Sequence, residues 1–204
     1  MNRALAVYSL PQYEVDDYRQ MVGWGIERLA RLAVPDDRRD DVDIPELAAR
    51  MRREYARTPV THTTAYAGMS ELAAELKEEG IATAVLSNKA HEITTQVVET
   101  IFGAEAFTLV YGAQDDLPKK PDPTAATRVA EQLHVQPHEM IFVGDTAIDM
   151  ETAQAAGMVP VGVSWGYREV EELWMHGAAA VVTEPSEIRA LVLGDPSEDA
   201  VETS

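Results

Sequence analysis

From about residue 66 to residue 193 short apolar runs alternate with amphipathic segments, and this alternation constrains the fold more than any other feature of the chain. Residues 83–87, 107–111, 140–144, 159–163 and 179–182 read as strands. Between and around them, Ser70–Glu79, His91–Ile101, Pro123–Leu133, Ile148–Ala156, Val170–Met175 and Pro185–Leu193 read as helices. Gly80, Gly103 and Gly157 stand where helix ends need a left-handed residue. Strands that are apolar throughout are buried on both faces, and helical connections make their neighbours parallel. The expected fold is therefore α/β, with a three-layer Rossmann-like parallel sheet. Ligands of such sheets sit beyond the carboxyl ends of the strands.

The first 58 residues follow a different pattern. They are helix-like and rich in Arg and Glu. Tyr18, Met21, Val22, Ile26 and Leu29 approximate helical spacing, interrupted by Gly23-Trp24-Gly25. Leu47, Ala48, Met51 and Tyr55 line one face of a helix over 44–55. The expected organisation is a helical domain over 1–58, a linker around Thr58-Pro59-Val60, an α/β core over 59–193 and an acidic tail over 194–204.

Composition narrows the function classes. Lys+Arg number 17 against 35 Asp+Glu, for a net charge of -18 over 204 residues. Such a chain is a poor ligand for nucleic-acid phosphates or anionic membranes. Hydrophobic residues make up 46%, too many for an acidic disordered protein. Cysteine is absent, which excludes disulfides, thiolate metal sites and a Cys nucleophile. No apolar run approaches the ~20 residues of a membrane span, and no basic segment followed by an apolar core opens the chain. A cytoplasmic protein, monomeric or homodimeric, is expected. Lys77, Lys89, Lys119 and Lys120 are its only lysines.

Groups with chemical potential follow the strands directly. Ser87-Asn88-Lys89 ends the first. Asp115-Asp116 and Lys119-Lys120-Pro121-Asp122-Pro123 follow the second, and Gly144-Asp145-Thr146-Ala147-Ile148-Asp149 follows the third. Asp145 and Asp149, four residues apart at a strand-to-helix turn, lie on one side. Paired carboxylates of this kind suit Mg²⁺, which takes carboxylates together with water and phosphate oxygens. A hydroxyl and an ammonium supply donors for a phosphate. Each piece also has a purely structural use: Ser87 or Asp145 as a helix N-cap, Asp149 as first-turn charge, Lys119-Lys120 as a solvated loop.

Taken together, S-N-K, K-K-P-D-P and V-G-D-T-A-I-D-M, in this order, resemble motifs two to four of the haloacid-dehalogenase-like superfamily. The similarity extends to G-M-S-E-L-A-A-E-L-K-E-E-G and to A-A-G-M-V-P-V-G-V-S-W-G-Y, and is nearest to the phosphoglycolate-phosphatase-like subgroup. Y-R-Q-M-V-G-W-G-I-E-R-L resembles that subgroup's helical cap domain. The resemblance implies a Mg²⁺-dependent phosphatase acting on a small phosphorylated metabolite through an aspartyl-phosphate. It implies that Ser87 and Lys120 are catalytic and that Asn88 and Lys89 join them in binding the phosphate. Asp145 would ligate the metal, with Asp149 at its second sphere or through water.

The family's first motif, D-x-D-x-T, which carries the nucleophile, has no counterpart in the sequence. Asp16-Asp17 and Asp40-Asp41-Val42-Asp43 are the early Asp clusters, and neither follows an apolar run. Met1–Leu5 already looks like the first cap helix. The expectation is that the family's first, central strand, between 83–87 and 140–144, is absent, and that the chain as written turns over negligibly. Either the start lies downstream of a natural one or the chain is a fragment, or the chain is a non-catalytic phosphate- or Mg²⁺-binding or interaction module. Dehalogenation needs no Mg²⁺, so the Asp145/Asp149 pair argues against it; a phosphomutase stays open. Trp24, Arg28 and Tyr18 could reach the mouth of the site, and Trp165 and Tyr167 its rim. The five histidines show no ligand spacing. Ser164 lacks a nucleophile elbow and no G-x-G-x-x-G follows a strand.

Overall fold

The computed structural model describes residues 1–19, 21–57, 60–61 and 63–194. The expected linker residues Thr58 and Pro59, His62 and nearly all of the acidic tail lie outside them. The N-terminal part is helical: α1 (Asn2–Val7), α2 (Val15–Arg19), α3 (Ile26–Leu32), a 3-10 turn (Asp36–Asp41) and α4 (Ile44–Ala56). Asp43 caps α4, its side chain accepting the Glu46 amide at 3.0 Å. Gly23 and Gly25, with φ of 112° and 89°, break the apolar periodicity into α2 and α3. These helices enclose their own core of Leu5, Ala30, Val34, Leu47 and Met51.

The remainder alternates helix and strand: α5 (Met69–Glu78), β1 (Ala84–Ala90), α6 (His91–Phe102), β2 (Leu109–Ala113) and α7 (Thr124–Leu133) come first. After a 3-10 turn (Pro137–Glu139) come β3 (Ile141–Gly144), α8 (Ala147–Ala156), β4 (Val159–Val163), α9 (Val170–Met175), β5 (Ala180–Val182) and α10 (Pro185–Leu193). Every pairing is parallel. Ala84 faces Leu109 and Leu86 faces Tyr111; Ile141 faces Val159; Val161 faces Ala180. The hydrogen-bonded sheet comes in two pieces, β1–β2 and β3–β4–β5, and no ladder joins β1 to β3 among the described residues. Two apolar clusters hold helices to strands. One unites Leu72 and Leu76 of α5 with Val161, Val163, Val182 and Ile188. The other unites Ala126 and Ala130 of α7 with Ala153 and Met158.

Two boundaries differ from expectation. β1 runs on through Ser87, Asn88 and Lys89 to Ala90, so that tripeptide belongs to the strand itself. β2 begins at Leu109 rather than 107. Phe107 is apolar like a strand residue, but its ring packs edge-on against Phe102 with centroids 5.3 Å apart. Among the described residues no helix is long and apolar enough to cross a membrane.

Candidate active site

The carboxyl end of β3 is built around a close approach. A Cβ on Gly144 would stand 2.2 Å from Cβ of Asp149, so only glycine lets the chain turn there beneath that side chain. Asp145 follows, and Thr146, not Asp145, caps α8. The Thr146 side chain accepts the Asp149 amide at 3.4 Å. Asp149 answers with Oδ2, which accepts the Thr146 amide (3.2 Å), its hydroxyl (2.7 Å) and the Asp145 amide (3.3 Å). This reciprocal arrangement is a capping box. The structural use foreseen for Asp149 is thus real, while Asp145 and Ser87 have no capping role: the N-cap of α6 is Ala90.

Capping occupies one carboxylate oxygen of Asp149. The other, Oδ1, accepts Lys120 Nζ at 2.7 Å. Both side chains are nearly buried, 12% and 10% exposed. The ammonium also donates to the Leu86 carbonyl at 2.9 Å and lies 5.5 Å from the centre of the Phe142 ring. The Lys120 backbone is held as well. Its amide donates to Asn88 Oδ1 at 2.8 Å, and its carbonyl accepts Asn88 Nδ2 at 2.9 Å. Leu86 and Asn88, which flank Ser87 in β1, therefore both bond Lys120. The Ser87 hydroxyl oxygen accepts the Lys89 amide at 3.2 Å. The Lys89 side chain leaves this cluster for the helical part, where it donates to the Tyr55 hydroxyl at 2.9 Å and lies 5.1 Å from the ring centre. The Asn88 amide is committed to Lys120 and, through Nδ2, to the Gly23 carbonyl at 3.0 Å.

Asp145 accepts the Tyr167 amide on Oδ2 at 2.9 Å. Burial pushes its carboxyl above the ordinary value; the Tyr167 bond opposes this, nearby Asp149 adds to it and Lys120 opposes it. No ion pair joins Asp145 to a cation among the described residues. A part-buried carboxylate with no ion-pair partner among the described residues fits a hard cation such as Mg²⁺, which keeps several waters and needs only one or two protein carboxylates. No group of three or more potential ligands occurs among the described residues. Asp149, with both oxygens engaged, stands behind Asp145.

Several contributors escaped the sequence reading. A Cβ on Gly166 would stand 2.1 Å from Cβ of Asp145. Glu172 of α9 accepts the Ala147 amide at 3.2 Å and pairs with Arg168 at 3.7 Å. Arg168 reaches the Val22 carbonyl at 3.5 Å. Tyr66 stands near Asp145 and Tyr167, and burial raises its phenol. The strand-end rule applied to Trp165-Gly166-Tyr167-Arg168, which follows β4, was the available signal.

Other residues lie elsewhere. Arg28 stacks 4.6 Å from the Trp24 ring centre. The loop holding Trp24 faces the α/β part: Cβ atoms on Gly23 and Gly25 would meet Ile148 and Lys119 at 3.3 Å. Tyr18 turns into the helical part, its hydroxyl donating to Asn2. Asp16, Asp36 and Asp41 pair with Arg19, Arg39 and Arg38, and Asp116 with Arg128, all at the surface. His176 meets Glu151 at 2.8 Å, and His91 accepts the Gly112 amide at 3.3 Å.

Residues 1–163 match the haloacid dehalogenase-like hydrolase family. The chain is 31% identical over 196 residues to a phosphoglycolate phosphatase from Nitrosospira multiformis, covering 94% of this chain and 85% of that protein. It is 28% identical over 167 residues to one from Aquifex aeolicus, covering 82% and 76%. Among solved structures, a protein from Lactobacillus delbrueckii superposes with a TM-score of 0.87 at 23% identity, over 95% of this chain and 90% of that one. CbbY from Rhodobacter sphaeroides, in complex with phosphate, superposes at 0.73 and 20% identity, over 92% and 86%. These two likenesses establish the α/β fold.

Proposed function

Since the chain belongs to the haloacid dehalogenase-like hydrolase family, we propose that its site is that of a Mg²⁺-dependent phosphatase for a small phosphomonoester of the phosphoglycolate kind. The observation that carries this reading is the buried Lys120–Asp149 pair, tied to β1 through the Leu86 carbonyl, with the carboxylate of Asp145 close by. The names of the similar proteins support the substrate class.

In this reading the Ser87 hydroxyl, the Asn88 backbone amide and the Lys120 ammonium donate to the phosphoryl oxygens. Lys120 is held in place by Asp149 and the Leu86 carbonyl, so its charge needs no reorganisation when phosphate charge develops. Asp145 would hold Mg²⁺, which when bound neutralises charge on the phosphoryl group. Lys89, bonded to Tyr55, steadies the helical part, residues 1–58, as a cap over the site.

Hydrolysis in this family's manner passes through an aspartyl-phosphate. Of the two carboxylates at the end of β3, Asp149 has both oxygens engaged and Asp145 serves the cation. Neither is then free to act as the nucleophile, and in this reading the chain as written binds phosphate and Mg²⁺ but turns over negligibly. The same observation favours a second reading, a phosphate- and Mg²⁺-binding module that acts through interaction.

Calorimetric titration with MgCl₂ and inorganic phosphate tests the site. Asp145→Asn is expected to abolish Mg²⁺ binding, and Ser87→Ala to weaken phosphate about ten-fold, the scale of one charge-assisted hydrogen bond. Unchanged Mg²⁺ affinity in Asp145→Asn overturns the metal assignment. Mg²⁺-dependent turnover of an aryl phosphate by the 204-residue chain overturns both its inactivity and the second reading.

A further inference from the structure

The side-chain amide of Asn88 makes three hydrogen bonds to two different parts of the molecule. Toward the phosphate site it holds both backbone groups of Lys120, accepting the amide at 2.8 Å and donating to the carbonyl at 2.9 Å. Toward the helical part its Nδ2 donates to the Gly23 carbonyl at 3.0 Å, across 65 positions of sequence. Both protons of one NH₂ group are thus spent on carbonyls from segments that share no covalent neighbourhood. The helical part touches the same region again through Lys89 and Tyr55, where the next residue of β1 crosses over.

The geometry has a direct consequence. Nδ2 and Oδ1 lie on one rigid planar group, so a displacement of Gly23 that drags Nδ2 must rotate or shift Oδ1. Oδ1 is the acceptor for the Lys120 amide, and the Lys120 side chain is the one bonded to Asp149 and Leu86. We infer that Asn88 is a positioning residue that couples the docking of the Gly23–Gly25 loop to the placement of Lys120, with its side chain taken up by this task rather than by phosphate. The functional consequence rests on the reading of Lys120 as a phosphate-binding group; the coupling itself does not.

A loop held by such an amide transmits position in both directions, because coupling between two sites is reciprocal. Seating of the helical part steadies Lys120, and a phosphate drawn onto Lys120 steadies the loop.

The Lys120 backbone amide, bonded to Asn88 Oδ1, is a direct probe, and its hydrogen exchange can be read by NMR without any ligand. Gly23→Ala displaces the loop, since φ at Gly23 is 112° and the added Cβ would meet Ile148 at 3.3 Å. Coupling predicts about ten-fold faster Lys120 exchange in Gly23→Ala, a local opening rather than global unfolding. Asn88→Ala is expected to speed that exchange by itself, and adding Gly23→Ala to it should change the rate no further. Lys120 exchange in Gly23→Ala equal to the parent's, or effects of the two substitutions that simply multiply, overturns the coupling. Should Gly23→Ala fail to fold, Gly25→Ala serves in its place: at φ 89° it displaces the same loop and leaves Asn88 intact, so Lys120 exchange should quicken there too, and Lys120 exchange equal to the parent's overturns the proposal. Titration with inorganic phosphate separates the two readings: a parent chain that does not bind phosphate defeats the functional reading of Lys120, while the exchange result stands or falls independently.

Discussion

Lys120 and Asp149 form a nearly dry ion pair, Nζ to Oδ1 at 2.7 Å, in which the carboxylate's second oxygen is already spent on capping α8. The lysine is therefore fixed from behind by a group that is itself fixed. Truncating one partner of such a pair strands a buried charge, which costs about 3 kcal/mol or more. Lys120→Met is expected to lower stability by that order in urea unfolding and to remove phosphate binding. Lys120→Arg should recover much of the stability, since a guanidinium still pairs with Asp149, but not the affinity, because its bulkier planar fork does not put a compact charge where the ammonium stands. Full phosphate affinity in Lys120→Arg would count against this account.

The two glycines under the site's carboxylates make a second, steric prediction. Gly166→Ala would press a Cβ to 2.1 Å from Cβ of Asp145, far inside contact distance. The loop must move, and with it the Tyr167 amide that orients Asp145. A fall in Mg²⁺ affinity of about ten-fold is expected, for loss of an outer partner of a ligand. Gly157→Ala is the control. Its φ of 72° makes it strained at a cost of about 1 kcal/mol, yet its nearest neighbour is 3.9 Å away, so Mg²⁺ affinity should stay as in the parent.

The contrast between these residues shows where sequence reasoning reached and where it stopped. Ser87, Lys120, Asp145 and Asp149 were legible as candidates because each lies at, or shortly after, an apolar run, and strand ends in a parallel sheet are where ligands sit. The loop after β4 was marked by the same rule, but the particular contacts of Gly166 with Asp145 and of Glu172 with Ala147 were not legible, because they close only when β4 pairs with β3, some twenty residues away along the chain. The side-chain amide of Asn88 was invisible for the same reason: nothing local marks Gly23 as its partner. The late start of β2 reflects a different limit, since Phe107 carries the strand's apolarity but spends it against Phe102.

Thr146 provides a test of the capping box. Removing its side chain costs α8 its N-cap and Asp149 one donor. Thr146→Ala should lose about 1 kcal/mol in urea unfolding, and Thr146→Ser, which keeps the hydroxyl, should lose much less. Equal losses in the two variants would mean that the methyl group, not the cap, matters.

The helical part carries a pH signature of its own. Burial chiefly, with Tyr13 and Asp17 adding to it, raises the Tyr18 phenol from 10.0 to about 12. Its hydroxyl donates to Asn2, which in turn holds Tyr13 through two backbone contacts. A group whose folded pKa is raised binds its proton more tightly when folded. Its stabilising contribution is complete below pH 10.0 and is lost as pH climbs toward about 12. The urea midpoint should therefore fall between those limits beyond what the rest of the chain contributes. Tyr18→Phe should be less stable at neutral pH by about 1 kcal/mol, for the lost hydrogen bond, and should show a shallower alkaline decline. Parallel curves for the parent and Tyr18→Phe through that window would show that this phenol does not govern the alkaline stability of the helical part.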